Sequence, residues 1–182
     1  MINVPAHRLG YFHNAGNFAL DGADFDALFA PPPLGLPLFA ELVRIDRAQR
    51  LPEPELRRIA AVLLQRHLAW RPASNPVTRF RAGFEADLPA LQRAGLPTYH
   101  RWAFASVRQL DAAFELAAQH LQWLHGGAPP HPAAADFERI AQDCKTLILK
   151  AARAVNAGRV PDTAALFDEM AAAWDRGMAA LP

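Results

Sequence analysis

The chain has 182 residues, 52% of them hydrophobic and 20% charged, with 10 Gly and 16 Pro. This excludes a disordered or collagen-like polypeptide and fits a single domain with a real core over 1–182. Lys and Arg total 19 and Asp and Glu 18, a formal net charge of +1, which lacks the concentrated basic footprint of a nucleic-acid or anionic-membrane binder. One Cys leaves no internal disulfide and no multi-thiolate zinc site, and suits a reducing compartment.

Met1 to Leu20 holds no basic cluster followed by an apolar run of signal-peptide length, so a cytoplasmic protein is expected. The apolar stretch Ala27 to Val43 carries Pro31, Pro32, Pro33 and Pro37, which exclude it as a bilayer-spanning helix. Only Lys145 and Lys150 are lysines, so the basic residues are nearly all Arg. With abundant Ala, this reads as genomic composition rather than phosphate recognition.

Two short extended runs, Leu9 to His13 and Asn17 to Leu20, flank Asn14-Ala15-Gly16, whose Asn and Gly tolerate positive φ; a hairpin follows. Asp21 is placed as the N-cap of a short helix with Phe25, Leu28 and Phe29 on one side. A Pro-rich arm, Pro31 to Pro37, ends it, and 1–38 is set apart from a helical bundle over 39–182. A lone hairpin is marginal in water, so something is expected to cover or extend it.

Beyond the arm the periodicity is helical. From Pro54 to Trp70, Leu56, Ile59, Ala60, Leu63, Leu64 and Leu68 predict an amphipathic core helix. Asn75-Pro76 opens the next, with Phe80, Phe84, Leu88 and Leu91 as its stripe and Pro89 as a break or kink. Tyr99 to His125 predicts one long central helix. Ala134 to Asn156, closed by Gly158, carries an unbroken stripe through Phe137, Ile140, Cys144, Leu147 and Ala151. A last helix follows Pro161, capped by Asp162 or Thr163. The predicted fold is mainly all-α, an antiparallel bundle of about five helices with an N-terminal hairpin.

Chemistry is sparse. Cys144 lies on an apolar stripe, where a thiol is an inert packing residue. Of seven His, His120 and His125 do not share a helix face, and no His-x-x-x-His pair occurs. Neither a metal nor a cofactor is expected. No phosphate-binding Gly loop and no Gly-x-Ser-x-Gly elbow is present. The stripe Arg101, Arg108, Asp111, Glu115, Gln119, Gln122 is a solvated face, with Arg108 and Asp111 paired at i, i+3. Alternatively, Arg108 and Gln109 line a cleft under the hairpin, where a guanidinium binds a carboxylate or phosphate, and Lys145 and Arg153, about two turns apart, extend the patch.

The segments Gly10-Tyr11-Phe12-His13-Asn14-Ala15-Gly16 and Gly22 to Phe29, with Asn75-Pro76, Ala103-Phe104-Ala105-Ser106-Val107-Arg108-Gln109, Trp123-Leu124, Lys145, Ala152-Arg153-Ala154-Val155 and Trp174, resemble in order the bacterial domain of unknown function 1839 family. The resemblance implies that an α/β half preceding this part in the family is absent here. That half is similar to papain-like acyltransferases that draw an aminoacyl group from a carrier thioester. It further implies a role in carrier-protein-dependent aminoacyl or acyl transfer, with the catalytic Cys and His outside this chain. The expected function is therefore a non-catalytic or partner-dependent subunit lining an acyl or phosphopantetheine cleft. Its candidate contacts are His13, Asn14, Arg108, Gln109, Lys145 and Arg153, and its partners an acyl carrier protein or an α/β catalytic subunit that pairs with Tyr11 to Ala19. The alternative is a homodimeric scaffold without chemistry, its hairpins paired across a two-fold axis.

Overall fold

The computed structural model describes residues 2–13, 16–30, 49–126 and 129–182. The chain divides into two compact units, Met1–Arg50 and Leu51–Pro182. The expected division at 38/39 falls on residues outside the described ones, as does the Pro-rich arm.

In the first unit, β1 (Ile2–Asn3), β2 (Arg8–His13) and β3 (Gly16–Asp21) form an antiparallel sheet in the order β1-β2-β3. The hairpin is as expected, and the register pairs Leu9 with Leu20 and Tyr11 with Phe18. It is not alone, because β1 adds a short third strand by pairing Ile2 with Leu9. Tyr11 and Phe18 stack at 5.6 Å on one face, the cross-strand aromatic contact that favours this register. Helix α1 (Gly22–Ala27) buries Phe25. Asp21 occupies the N-cap position without a side-chain capping bond; its carboxylate stands 3.4 Å from Arg8 Nε instead.

The second unit holds, among the described residues, α2 (Glu53–Leu68), α3 (Pro76–Ala94), α4 (Leu96–Ala105), α5 (Val107–His125), α6 (Pro132–Ala157) and α7 (Ala164–Ala179). This is the expected bundle with one more helix, because the predicted helix from Tyr99 to His125 is broken. Ser106 leaves helical geometry at φ −123°, ψ −77°, and its N–H and Oγ both donate to the Trp102 carbonyl, at 3.0 and 2.7 Å. That turn closes α4 and lets α5 begin in a new direction. Pro89 does not break the helix, since α3 runs through it.

The core forms where α5, α6 and α7 pack. Ile140, Cys144, Leu147 and Ala151 of α6 are fully buried, with Ala118 of α5 and Met170 and Ala173 of α7. Phe84, Tyr99, Trp102 and Phe167 add an aromatic cluster with ring centroids 5.6–6.1 Å apart. Caps fix the ends as the sequence predicts: Asn75 Oδ1 accepts from Val77 N–H at 2.9 Å, and Gly158 closes α6 at φ 61°, the left-handed geometry glycine adopts without a Cβ clash. Thr163, rather than Asp162, is the N-cap of α7, without a side-chain bond. Helix α2 departs furthest from expectation. Its apolar residues are only partly covered and none is buried, so it lies against the bundle rather than inside the core.

Candidate functional site

Two features adjoin the start of α5. The first is an apolar cleft of about 470 Å³ between the first turns of α3 and α5, lined by Val77, Phe80, Ser106, Gln109, Leu110 and Ala113. Gln109 is the polar candidate in its wall, and its Nε2 donates to the Phe104 carbonyl across the break at 3.3 Å. The side chain thus bridges α4 and α5 at the cleft.

The second is an ion-pair cluster between α5 and α6. Asp111, expected on a solvated face, is completely buried at 0% exposure. It accepts a hydrogen bond from Arg108 Nη1 through Oδ2. Its Oδ1 has no hydrogen-bond partner and stands 3.7 Å from Lys145 Nζ on α6. Lys145 also donates to Glu115 Oε2 at 3.2 Å. The hydrogen bond to Glu115, and then the Asp111 charge, hold the Lys145 ammonium above its ordinary value. A buried carboxylate here draws together two half-exposed cations from different helices, one of which, Lys145, also pairs with Glu115.

The structure therefore brings Arg108 and Lys145 together through Asp111, a residue the sequence reading assigned to solvent. Gln109, the next residue after Arg108, serves the cleft instead. Arg153 is exposed on α6 beyond Lys145. In the first unit, the His13 backbone is paired with Gly16, while its side chain and all of Asn14 lie outside the described residues.

Among the described residues the lone thiol is not activated as a nucleophile. Cys144 is fully buried, and burial, with the charges of Asp111 and Asp143, pushes its thiol up to about 12, which suppresses the reactive thiolate. Among the described residues no three His, Cys, Asp or Glu side chains converge as metal ligands. Nor is any helix among them long and apolar enough to cross a membrane. What the cleft offers is apolar space with one amide in its wall.

Residues 53–182 match the family model of the DUF1839 C-terminal domain, so the motifs before Glu53 lie outside the matched span. Comparisons with curated proteins and with solved structures find no match.

Proposed function

The chain belongs to the DUF1839 family, whose C-terminal domain accounts for α2 to α7, and on that premise we propose that it is a non-catalytic binding module for a carrier-borne acyl or aminoacyl group. The apolar end of the ligand enters the cleft between α3 and α5. Gln109 there meets its amide or thioester carbonyl, and Arg108 takes an anionic group of the carrier arm, such as the pantetheine phosphate, which a planar guanidinium binds by paired hydrogen bonds. Lys145 and Arg153 extend the cationic surface along α6.

The observation that carries this reading is the cleft itself. It is about 470 Å³ and almost wholly apolar, with Gln109 in its wall, the combination of apolar space and few placed polar groups expected of a small-molecule site. The chemistry of transfer belongs in this reading to an α/β partner subunit. Chemical-shift mapping of the full chain with S-hexanoyl phosphopantetheine tests it. Shifts clustered at Val77, Phe80, Arg108, Gln109 and Ala113 are expected; a titration that leaves these residues unmoved contradicts the assignment.

The homodimeric scaffold reading draws on a different observation. Among the described residues β3 pairs only with β2, leaving an edge beside half-exposed Phe18, and open edges template pairing with another chain. Light scattering of the full chain alone separates the two, since only the scaffold requires a stable dimer without a second protein.

A further inference from the structure

The turn between α5 and α6 carries two histidines in an arrangement that the candidate binding site does not use. His131 is the N-cap of the 26-residue helix α6, and its Nδ1 accepts from Ala133 N–H at 3.1 Å. The His125 ring at the end of α5 lies 5.5 Å away, nearly perpendicular to it. Two imidazoles at this spacing resemble half of a metal site, but the hydrogen bond excludes that use of His131. A neutral imidazole that accepts at Nδ1 carries its proton on Nε2, so neither nitrogen is left to ligate. The same bond makes the cap depend on protonation, because a proton added at Nδ1 turns the acceptor into a donor and breaks it.

The groups of α5 and α6 around the ring oppose that proton. The positive end of the α6 dipole meets the ring, and α6 has no acidic residue in its first turn. The nearest acid along that helix, Asp136, is engaged by Arg176 Nε at 2.9 Å. From α5 the ring faces His125, and Gln122 Oε1 accepts from the His131 backbone N–H at 3.3 Å. The small cavity that both rings line is otherwise bounded by Leu64 and Gln65 of α2, Leu121 and Leu124 of α5, and Pro182. Arg57 of α2, 5.9 Å over the Trp123 ring at the same end of α5, is paired with Glu53 Oε1 at 2.5 Å and adds no net charge there. Burial and His125 accordingly hold the His131 imidazole below its ordinary value of 6.5.

We propose that His131 is a proton-sensitive cap, which holds the first turn of α6 closed when neutral and releases it in mild acid. The sign follows from linkage. The unfolded chain takes up this proton first, so the stabilisation is present above the ordinary imidazole value and is lost as pH falls below it.

The test is amide exchange at Ala133, Ala134 and Ala135, expressed as protection relative to the intrinsic rate, for the full chain between pH 7.5 and 4.5. In the wild type, protection is expected to fall roughly fivefold, the worth of one N-cap interaction. His131→Asn retains a capping oxygen without a titrating group and is expected to keep its protection, which also controls for carboxylates that titrate in the same range. His125→Gln removes the facing charge and is expected to move the loss to higher pH. Parallel losses in wild type and His131→Asn would overturn the proposal, as would a neutral His131 ring carrying its proton on Nδ1 in nitrogen-detected NMR. If His131→Asn does not fold, an unmoved midpoint in His125→Gln overturns it alone.

Discussion

Asp111 and Lys145 face each other across the α5–α6 interface, the carboxylate fully buried and the ammonium 3.7 Å away at the surface. The same carboxylate holds Arg108. Asp111 is thus the residue that fixes where two of the candidate cations stand. Asp111→Ala is expected to destabilise the fold by roughly 2 kcal/mol, because it removes the charge-assisted hydrogen bond from Arg108 and leaves a small cavity where the carboxylate was buried. Glu115→Ala, which removes only the half-exposed partner of Lys145, is expected to cost less than about 1 kcal/mol. Urea unfolding of both variants checks the difference; equal costs would mean that burial at Asp111 is unimportant.

Gly177 of α7 marks the closest approach to α6. A Cβ there meets Phe137 Cε1 at 2.6 Å, and Phe137 is buried, 5% exposed. Gly177→Ala is therefore expected to destabilise by roughly 1–3 kcal/mol through overpacking, although alanine is the better helix former. Phe137→Leu is expected to relieve part of that cost, so thermal melts of the single and double variants should be non-additive.

Tyr99 is fully buried and its hydroxyl donates to the Ile148 carbonyl at 2.8 Å. Tyr99→Phe is expected to cost about 1 kcal/mol near neutral pH. Burial pushes this phenol up to about 12 from 10.0, so the folded chain keeps the proton longer than the unfolded one. The stability tied to it is present below 10.0 and is lost as pH rises towards 12. Unfolding measured from pH 9 upward should fall more steeply in the wild type than in Tyr99→Phe.

Asn75 caps α3 and also reaches α7, its Nδ2 donating to the Ala171 carbonyl at 2.9 Å and to Asp175 Oδ1 at 3.0 Å. Asn75→Ala is expected to lose roughly 1–2 kcal/mol. Asn75→Asp keeps the cap but turns the second contact into carboxylate repulsion, so it should recover only part of the loss in the same denaturation assay.

The helices were legible where one face had to be apolar. The stripe Phe137, Ile140, Cys144, Leu147 gave α6 its register, and Asn75 and Gly158 marked ends because their chemistry suits caps. The break at Ser106 was not legible, since the sequence carries neither Gly nor Pro there and the turn depends on Ser106 bonding back to Trp102. Pro89 does not end α3, which continues through it with Leu88 and Leu91 buried. Asp111 was misread for a related reason. A charged residue in a polar stripe predicts solvent, and its burial is tolerated because Arg108 donates to it and Lys145 arrives beside it from α6. Helix α2 shows that an apolar face foretells amphipathicity, not the depth to which a helix is buried.

The central claim, that the cleft at the start of α5 binds a carrier-borne acyl group, is tested most directly by the affinity of the full chain for S-hexanoyl phosphopantetheine, measured by calorimetry for wild type, Ala113→Phe and Arg108→Gln. The account predicts that Ala113→Phe, which fills the cleft, abolishes binding, and that Arg108→Gln weakens it about tenfold, the worth of a charge-assisted hydrogen bond. Arg153→Ala, further along α6, should have a smaller effect. Binding that is absent in the wild type, or unchanged in both Ala113→Phe and Arg108→Gln with their helical circular dichroism intact, would contradict it.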